Sequence, residues 1–398
     1  MKYTILIADD SRLYFEEIEK AFRQLGDGYK LIWAETGRMA YNLAEKHHPD
    51  LILMDVIIPE MNGVRAIQAL KENPETADIP VIMLSAPESL YAAYESGAHD
   101  FISKPFNHYE LLMRVRSSLT LIDKIKEIKK QKEKLEQENY KIFRQQKEMI
   151  DDITYSKRIQ NAILPTESLI RSIFPDHFIL DIPRNIVSGD FYWVGKKGNK
   201  KIIAAADCTG HGISGAFMTM AGIAFMNDIF NRYNTEDPAE VLYLLREHVM
   251  KLLQQKGIEG EASDGMDIAL CIIDEKDRHI NFAGANNPAY LINDEGLQVL
   301  KADRMPIGIH VNFSTPFTST CVCYKQNDML YLFSDGFPDQ FGGPENKKFR
   351  YKQFQDLLTS IHSLSSNEQH DILKKTFYNW KGEEEQVDDI LIFGIRLF

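Results

Sequence analysis

Cysteine, basic charge and long apolar runs are all scarce in this sequence of 398 residues. Four cysteines without a CxxC spacing are too few for a disulfide scaffold or a zinc site, so a reducing compartment is expected. A net charge of -12 disfavours nucleic-acid binding, which relies on a basic surface. The most apolar stretch, LILMDVIIP, is about half a membrane span, and MKYTILIADD lacks the apolar length of a secretory signal. We expect a cytoplasmic protein that binds neither membranes nor nucleic acid.

Up to about residue 120, short apolar runs alternate with amphipathic stretches. The runs YTILIA, KLIWA, LILM, PVIMLS and DFIS are separated by segments with apolar residues at helical spacing. Runs that are apolar throughout indicate strands covered on both faces. The pattern predicts an α/β domain over residues 1–121, with a doubly wound parallel sheet of five βα units.

Residues 122–165 are rich in Lys, Glu and Gln and contain almost no Gly or Pro. An apolar residue recurs every seven positions, namely Leu121, Ile128, Leu135, Ile142 and Met149. This spacing predicts one long helical linker. The positions that would complete a coiled-coil seam are polar, namely Lys124, Gln131, Glu138 and Gln145. We expect a homodimer through a weak coiled coil, and a solvated single helix acting as a spacer is the alternative.

Residues 166–398 mix strand-like and helix-like segments. Apolar runs such as KIIAAAD, MDIALCIID and DDILIFGIRL accompany two helical blocks near 211–230 and 238–255. This mixture predicts a second α/β domain with antiparallel sheets.

Acidic, hydroxyl and basic side chains follow the predicted strands of the first domain. Asp9 and Asp10 follow the first strand, and Asp55 follows the third. Ser85 ends the fourth strand and Lys104 follows the fifth. The carboxyl ends of such strands converge on one crevice, where three carboxylates need a hard cation such as Mg²⁺. Lys104 and Ser85 could then contact a phosphoryl group on Asp55.

The stretches DD, LILMDVIIPEMNG, MLS and GAHDFISKPF resemble the receiver domain of response regulators. The resemblance implies that Asp55 accepts a phosphoryl group from a histidine kinase. It also implies that Asp9, Asp10 and the surroundings of Asp55 bind Mg²⁺. By the same resemblance, the contacts to the phosphoryl group and the aromatic switch position fall on Ser85, Lys104 and Phe101.

Aspartates lie at the ends of apolar strands in the C-terminal domain, namely Asp190, Asp207, Asp335, Asp388 and Asp389. Any one of them beside a glycine is more often a turn residue. Together they would form a cluster of like charge that needs cations. Carboxylates suit Mg²⁺ or Mn²⁺ rather than zinc, and two such ions can activate water for phosphate-ester hydrolysis without a protein nucleophile.

The segment ADCTGHG also allows a thiol site, with Cys208 as nucleophile and His211 as its base. Such an enzyme would be inactivated by alkylation and indifferent to chelators. The two-metal scheme needs neither side chain, so the aspartates are favoured over Cys208.

The segments VSGDFYW, ADCTGHG, DGMDIALCIID, FAGANNPAYLI, PIGI, FSDGF and DDILIF resemble bacterial PP2C-like serine/threonine phosphatases of the SpoIIE and RsbU type. The resemblance covers residues 166–398 and implies a PP2C-like α/β sandwich that holds two Mn²⁺ or Mg²⁺ ions. Asp207 would bridge both ions. Asp190 and the main-chain carbonyl of Cys208 would serve one ion, and Asp335 and Asp388 the other.

Asp388 is preferred to its neighbour Asp389 as the last ligand, because a strand that starts at Ile390 would place the two on opposite faces. The resemblance further implies a response regulator whose phosphorylation controls a phosphatase through the linker. Its substrate would be an anti-sigma-factor antagonist of the STAS type in a partner-switching pathway. A catalytically silent module that only binds a partner is the alternative, and retention of the aspartates argues against it.

Overall fold

The computed structural model describes residues 3–87, 95–233, 235–256, 264–311 and 313–398. The chain divides into two compact units, Met1–Phe143 and Arg144–Phe398. Each unit has its own sheets and its own hydrophobic core.

The first unit is a five-stranded parallel sheet with the strand order β2-β1-β3-β4-β5. Its strands are β1 (Tyr3–Ala8), β2 (Tyr29–Ala34), β3 (Leu51–Asp55), β4 (Val81–Ser85) and β5 (Asp100–Ser103). The helices between them are α1 (Arg12–Arg23), α2 (Gly37–His47) and α3 (Gly63–Glu72). Helices α2 and α3 pack on one face of the sheet and α1 on the other, so β3 and β4 are buried along their whole length. The predicted doubly wound sheet is confirmed.

The helix α4 (His108–Ile163) is 56 residues long and begins inside the predicted receiver domain. Its first turns bury Leu111, Val115 and Leu119 in the core of the first unit. The apolar residues that recur every seven positions from Leu121 to Met149, here called the linker stripe, are 46% to 62% exposed. Pairing of this stripe with a second chain stays a prediction.

The second unit contains two antiparallel sheets. The first has the order β14-β10-β9-β8-β7, with β13 paired to β9. Its strands are β7 (Asp190–Lys197), β8 (Lys200–Cys208), β9 (Gly265–Asp274), β10 (His279–Ala285), β13 (Ile307–Gly308) and β14 (Thr320–Cys323). The second has the order β12-β11-β15-β18-β6. Its strands are β6 (His177–Ile182), β11 (Ala289–Asn293), β12 (Gly296–Leu300), β15 (Met329–Phe333) and β18 (Ile390–Arg396).

Helices cover the outer faces of both sheets. A core of residues such as Ile203, Cys271 and Phe393 lies between the sheets. The helices α6 (Ile213–Arg232) and α7 (Pro238–Leu252) pack on the first sheet, and α9 (Tyr351–Ile361) and α10 (Ser366–Lys381) pack on the second. The short elements are α5 (Glu167–Ile173), α8 (Gly336–Asp339) and a hairpin of β16 (Phe341–Gly342) and β17 (Lys347–Lys348). The predicted α/β sandwich with central antiparallel sheets is confirmed.

Helix α6 is the one helix in the described part of the chain whose length and composition would suffice to cross a membrane. In this structure it packs on the first sheet of the second unit through residues such as Ile223, Met226 and Ile229.

Candidate functional site

Three carboxylates meet at the carboxyl ends of β1 and β3. Asp9, Asp10 and Asp55 each offer a ligand oxygen, and these oxygens all lie within 4.8 Å of one another. Lys104 closes this pocket, with Nζ 2.8 Å from Oδ2 of Asp9 and 2.7 Å from Oδ2 of Asp55. The structure therefore brings together the acids and the lysine that the sequence placed at separate strand ends.

The charges in this pocket compensate each other in part. Burial raises the pKa of Asp55, although the hydrogen bond from Lys104 opposes that rise. Burial also works against the charge of Lys104, but its hydrogen bonds to Asp55 and Asp9 and their negative charges together outweigh burial and raise its pKa. Ser85 lies buried at the end of β4 and donates to the carbonyl of Ala86. Phe101, on β5, is 40% exposed.

A row of aspartates crosses three neighbouring strands in the second unit. Asp190 pairs in register with Asp207, and Asp207 pairs in register with Asp267. Residues directly opposite each other in antiparallel strands point to the same face, so the three carboxylates lie side by side on one face of the first sheet. They stand where β7 begins and β8 ends, and this end of the sheet is here called its edge. Asp190 begins its strand instead of ending one, as the sequence had suggested for these acids. It reaches the same edge because β7 runs antiparallel to β8.

The second sheet brings two more acids to this edge. Asp335 lies two residues after the end of β15, and Asp388 lies two residues before the start of the neighbouring strand β18. Ser334 links the sheets, because its hydroxyl donates to Oδ2 of Asp190 at 2.6 Å and accepts the N–H of Leu391 at 2.9 Å. Gly336 packs directly against the backbone of Asp389. An added Cβ would stand 2.0 Å from the carbonyl oxygen of Asp389, so only glycine fits at this position.

Asp388 and Asp389 have different surroundings. Asp389 is 2% exposed, and its two oxygens accept the backbone N–H groups of Arg184 at 2.7 Å and Gly189 at 2.6 Å. Asp388 is partly exposed, and its charge acts on both Asp207 and Asp335. Asp389 therefore holds the loop before Asp190, whereas Asp388 interacts with the other acids; its role as a ligand stays a prediction.

Burial and mutual repulsion disfavour the ionised form of the aspartates at the second site. Burial and then Asp207 raise the pKa of Asp190, and burial followed by Asp335, Asp388 and Asp267 raises that of Asp207. Burial, together with Asp339, Asp388 and Asp267, raises the pKa of Asp335 to about 6. Bound cations would relieve both effects, and an all-oxygen donor set fits Mg²⁺ or Mn²⁺. Among the described residues, however, only Asp9, Asp10 and Asp55 place three ligand atoms within 4.8 Å of one another.

The thiol of Cys208 has no base beside it in the described contacts. Its side chain is 3% exposed, and its sulfur accepts a hydrogen bond from Thr219 at 3.9 Å. Burial raises the pKa of this thiol well above its usual value, and a neutral thiol is a poor nucleophile. Nδ1 of His211 lies 3.2 Å from the side-chain amide of Asn185. The main-chain carbonyl of Cys208 lies beside Gly189, next to Asp190.

The sequence interpretation missed Asp267 and Gln160. Asp267 accepts a hydrogen bond from the side-chain amide of Asn286 at 2.9 Å and stands beside Asp207. An acid that opens the apolar run MDIALCIID was a visible signal for it. Gln160, near the end of α4, is 1% exposed and binds both backbone groups of Ser188. Nothing in its helical sequence context marked this contact.

Two family models match the chain, one in each unit. The model of the response regulator receiver domain matches residues 5–116, and the model of stage II sporulation protein E (SpoIIE) matches residues 197–398. The chain therefore belongs to the SpoIIE family and carries a receiver domain. Asp190 lies before the residues matched by the SpoIIE model.

Individual relatives match parts of the chain. The structure of the SiaA-PP2C domain of Pseudomonas aeruginosa is 32% identical, covers 64% of this chain and 98% of that domain, and superposes with a TM-score of 0.59. Histidine kinase P4 of Formosa agariphila is 38% identical over 121 residues, 30% of this chain and 9% of that protein. The regulator RpaA of Synechocystis is 37% identical over 140 residues, 33% of this chain. This chain spans 56% of RpaA's length.

Proposed function

We propose that this protein is a metal-dependent phosphatase for phosphoserine or phosphothreonine in proteins, controlled by its receiver domain. The observation that carries the proposal is the convergence of aspartates from two sheets at one edge of a SpoIIE-family domain. We further propose the domain limits 1–121 for the receiver, 122–165 for the linker and 166–398 for the phosphatase.

The aspartates of the second unit would each hold part of a two-ion centre of Mn²⁺ or Mg²⁺. Asp207 stands in the middle of the row, which suits a ligand shared by both ions. Asp190 and the carbonyl of Cys208 would serve one ion, and Asp335 and Asp388 the other. Bound ions of this kind neutralise phosphoryl oxygens and lower the pKa of water. The ligand side chains would hold the ions in position. Ser334 and Asp389 would in turn hold the segments that carry these ligands, through hydrogen bonds to Asp190 and Gly189.

The receiver pocket would accept a phosphoryl group on Asp55 from a cognate histidine kinase. Asp9, Asp10 and Asp55 would hold Mg²⁺ beside it, because a hard cation suits three converging oxygens. Lys104 already contacts Oδ2 of Asp55 and can neutralise an added phosphoryl group. We assign Ser85 and Phe101 to the response of the domain to that group.

The end of α4 would carry the signal to the phosphatase. Gln160 donates to the carbonyl of Ser188 at 2.6 Å and accepts its N–H at 3.1 Å, two residues before Asp190. A change in the position of this helix would therefore act on the segment that carries a metal ligand. The exposed linker stripe supports a homodimer through α4, which would fix the helix in one orientation.

The protein substrate would be a phosphorylated anti-sigma-factor antagonist of the STAS type in a partner-switching pathway. This part rests on the resemblance of the catalytic motifs to SpoIIE and RsbU phosphatases. We place the protein in the cytoplasm, where such a kinase and such a substrate would be available.

The decisive experiment compares Asp207→Asn with Cys208→Ala in assays on a phosphorylated protein of this type. Asp207→Asn should abolish Mn²⁺-dependent turnover, because it removes the shared carboxylate. Cys208→Ala should keep most turnover, because the proposed role uses only the main-chain carbonyl. Excess EDTA should stop the wild-type enzyme, and Mn²⁺ should restore it.

Thiol alkylation serves as the control for the cysteine alternative. It should leave wild-type turnover almost unchanged, since the thiol is buried. Full activity of Asp207→Asn, or turnover that resists EDTA but not alkylation, would disprove the metal-site proposal.

A further inference from the structure

A cleft of about 440 Å³ in the second unit has a basic lining. Lys347, Lys348 and Arg350 line it, with Glu345 as the one carboxylate and Trp380 as an apolar wall. Asp339, outside the lining, pairs with Lys348, so the three cations still outnumber the two carboxylates near them, in a chain with a net charge of -12. The cleft therefore offers a local attraction for anions within an acidic protein.

An ion pair and a hydrogen bond connect the cleft to the segment that carries Asp335. Helix α8 starts directly after Asp335 and ends at Asp339, whose Oδ2 lies 2.8 Å from Nζ of Lys348. The backbone N–H of Arg350 donates to the carbonyl of Pro338, within the same short helix, at 2.6 Å. A chain bound in the cleft would therefore lie next to the proposed metal centre.

Arg350 differs from its two basic neighbours in having a free guanidinium. Lys347 pairs with Glu345, and Lys348 pairs with Asp339. Arg350 is exposed, and no hydrogen bond or ion pair of its guanidinium is found among the residues that the structure describes. A guanidinium presents its N–H donors in a planar fork that matches a carboxylate.

The backbone of Arg350 is held in an unfavourable conformation. Its φ is 71° and its ψ is 148°, a combination that a side chain with Cβ rarely adopts. Such a conformation persists only where the surroundings enforce it, and it occurs most often at functional positions.

One wall of the cleft is closely packed. An added Cβ on Gly342 would stand 1.9 Å from the carbonyl oxygen of Trp380, so only glycine allows this close approach. The indole N–H of Trp380 donates to the carbonyl of Gln340 at 3.0 Å, and the Phe349 ring packs edge-on against the indole. A side chain that is already held in place, such as Trp380, has little rotamer freedom to lose on binding.

We propose that this cleft binds an acidic segment of the phosphoprotein substrate, with Arg350 as its main contact. The proposal rests on the proposed phosphatase function and adds a substrate preference to it. Charge complementarity carries it: the cleft holds more cations than anions, its one unpaired charge is an arginine, and it adjoins the segment that carries Asp335.

The test uses two synthetic phosphoserine peptides that differ only near the phosphoserine. One has aspartates on both sides, and the other has asparagines at the same positions. The wild-type enzyme with Mn²⁺ should show a kcat/KM about tenfold higher for the aspartate peptide, as expected for one charge-assisted contact. The preference should shrink in high salt, which screens exposed charges.

Arg350→Glu should abolish this preference or reverse it. Arg350→Gly should also abolish it, while the melting temperature stays equal or rises, because glycine tolerates the backbone conformation. Lys375→Glu makes the same charge change on an exposed lysine of α10 outside the cleft and should retain the preference.

Equal kcat/KM for both peptides in the wild type would overturn the inference alone. A preference that survives in Arg350→Glu, or is lost equally in Lys375→Glu, would overturn it as well. Failure of the wild type to hydrolyse either peptide with Mn²⁺ would instead overturn the proposed function, and the inference with it.

Discussion

Without metal, the second unit should lose stability as the pH rises, because its buried acids are protonated more easily when folded than when unfolded. The pKa of Asp335 is raised from 3.8 to about 6, first by burial and then by Asp339, Asp388 and Asp267. An acid with a raised pKa in the folded state contributes full stability below its unfolded pKa. That contribution is lost as the pH rises from about 4 through about 6.

The size of the effect follows from this difference in pKa. The interval between 3.8 and about 6 corresponds to about 3 kcal/mol, or about 2 kcal/mol once solvent screening at this half-buried edge is allowed for. The pKa values of Asp190, Asp207 and Asp267 are also raised, chiefly by burial, and act in the same direction. Mn²⁺ that binds only the folded state should reverse the loss at neutral pH.

Urea unfolding in EDTA at several pH values between 4 and 8 measures this effect. A Trp33→Phe background leaves only Trp193 and Trp380, so fluorescence reports the second unit alone. In this background Asp335→Asn should stabilise the metal-free protein by about 2 kcal/mol at pH 7.5 and change little at pH 4.

Mn²⁺ should stabilise Asp335→Asn less than the parent protein, because a ligand has been lost. The matched control is Asp277→Asn, an exposed aspartate in a turn, which should keep the full pH dependence. The reasoning is refuted if Asp335→Asn destabilises the metal-free protein at pH 7.5, or if it retains the whole pH dependence of the parent.

The other predictions concern the receiver and the linker. Asp55→Asn should leave the turnover of the unphosphorylated protein unchanged and remove its response to a small-molecule phosphodonor; a retained response would contradict the assignment of Asp55. Gln160→Ala should lower turnover about tenfold, because two hydrogen bonds to the backbone of Ser188 are lost. Ser156→Ala, one turn earlier on α4, is its control, and equal turnover in both variants would exclude a role for Gln160.

The strands were the most predictable part of the fold. In the first unit, β3 and β4 are buried on both faces and apolar throughout, and this pattern, alternating with amphipathic stretches, indicated a parallel sheet. The two sheets of the second unit were predictable as antiparallel strands, but their order was not. Strand order depends on contacts between residues far apart in the sequence, such as the pairing of β18 with β6.

The sequence indicated that Asp207 and Asp335 would come together, because each stands alone near the end of a strand, and the structure brings the two close to each other. The choice between Asp388 and Asp389 depended on the direction of one strand, and β18 does begin at Ile390, as expected. The partners of Asp389 are the backbone N–H groups of Arg184 and Gly189, about 200 positions away, and no local pattern reveals them. Asp267 was missed because its place in the row requires the register of β8 with β9.

Several hydrogen bonds from different elements hold the loop before Asp190. They limit how far a movement of the linker helix could displace this loop. Asp389 accepts the N–H of Gly189, and the hydroxyl of Thr219 donates to the carbonyl of Gly189 at 2.8 Å. Gln160 holds Ser188, and among these three anchors it alone lies on α4. A movement of α4 would therefore release one anchor and leave the other two in place. We expect the linker to adjust the position of Asp190 in a graded way, with the loop folded in every state of the receiver.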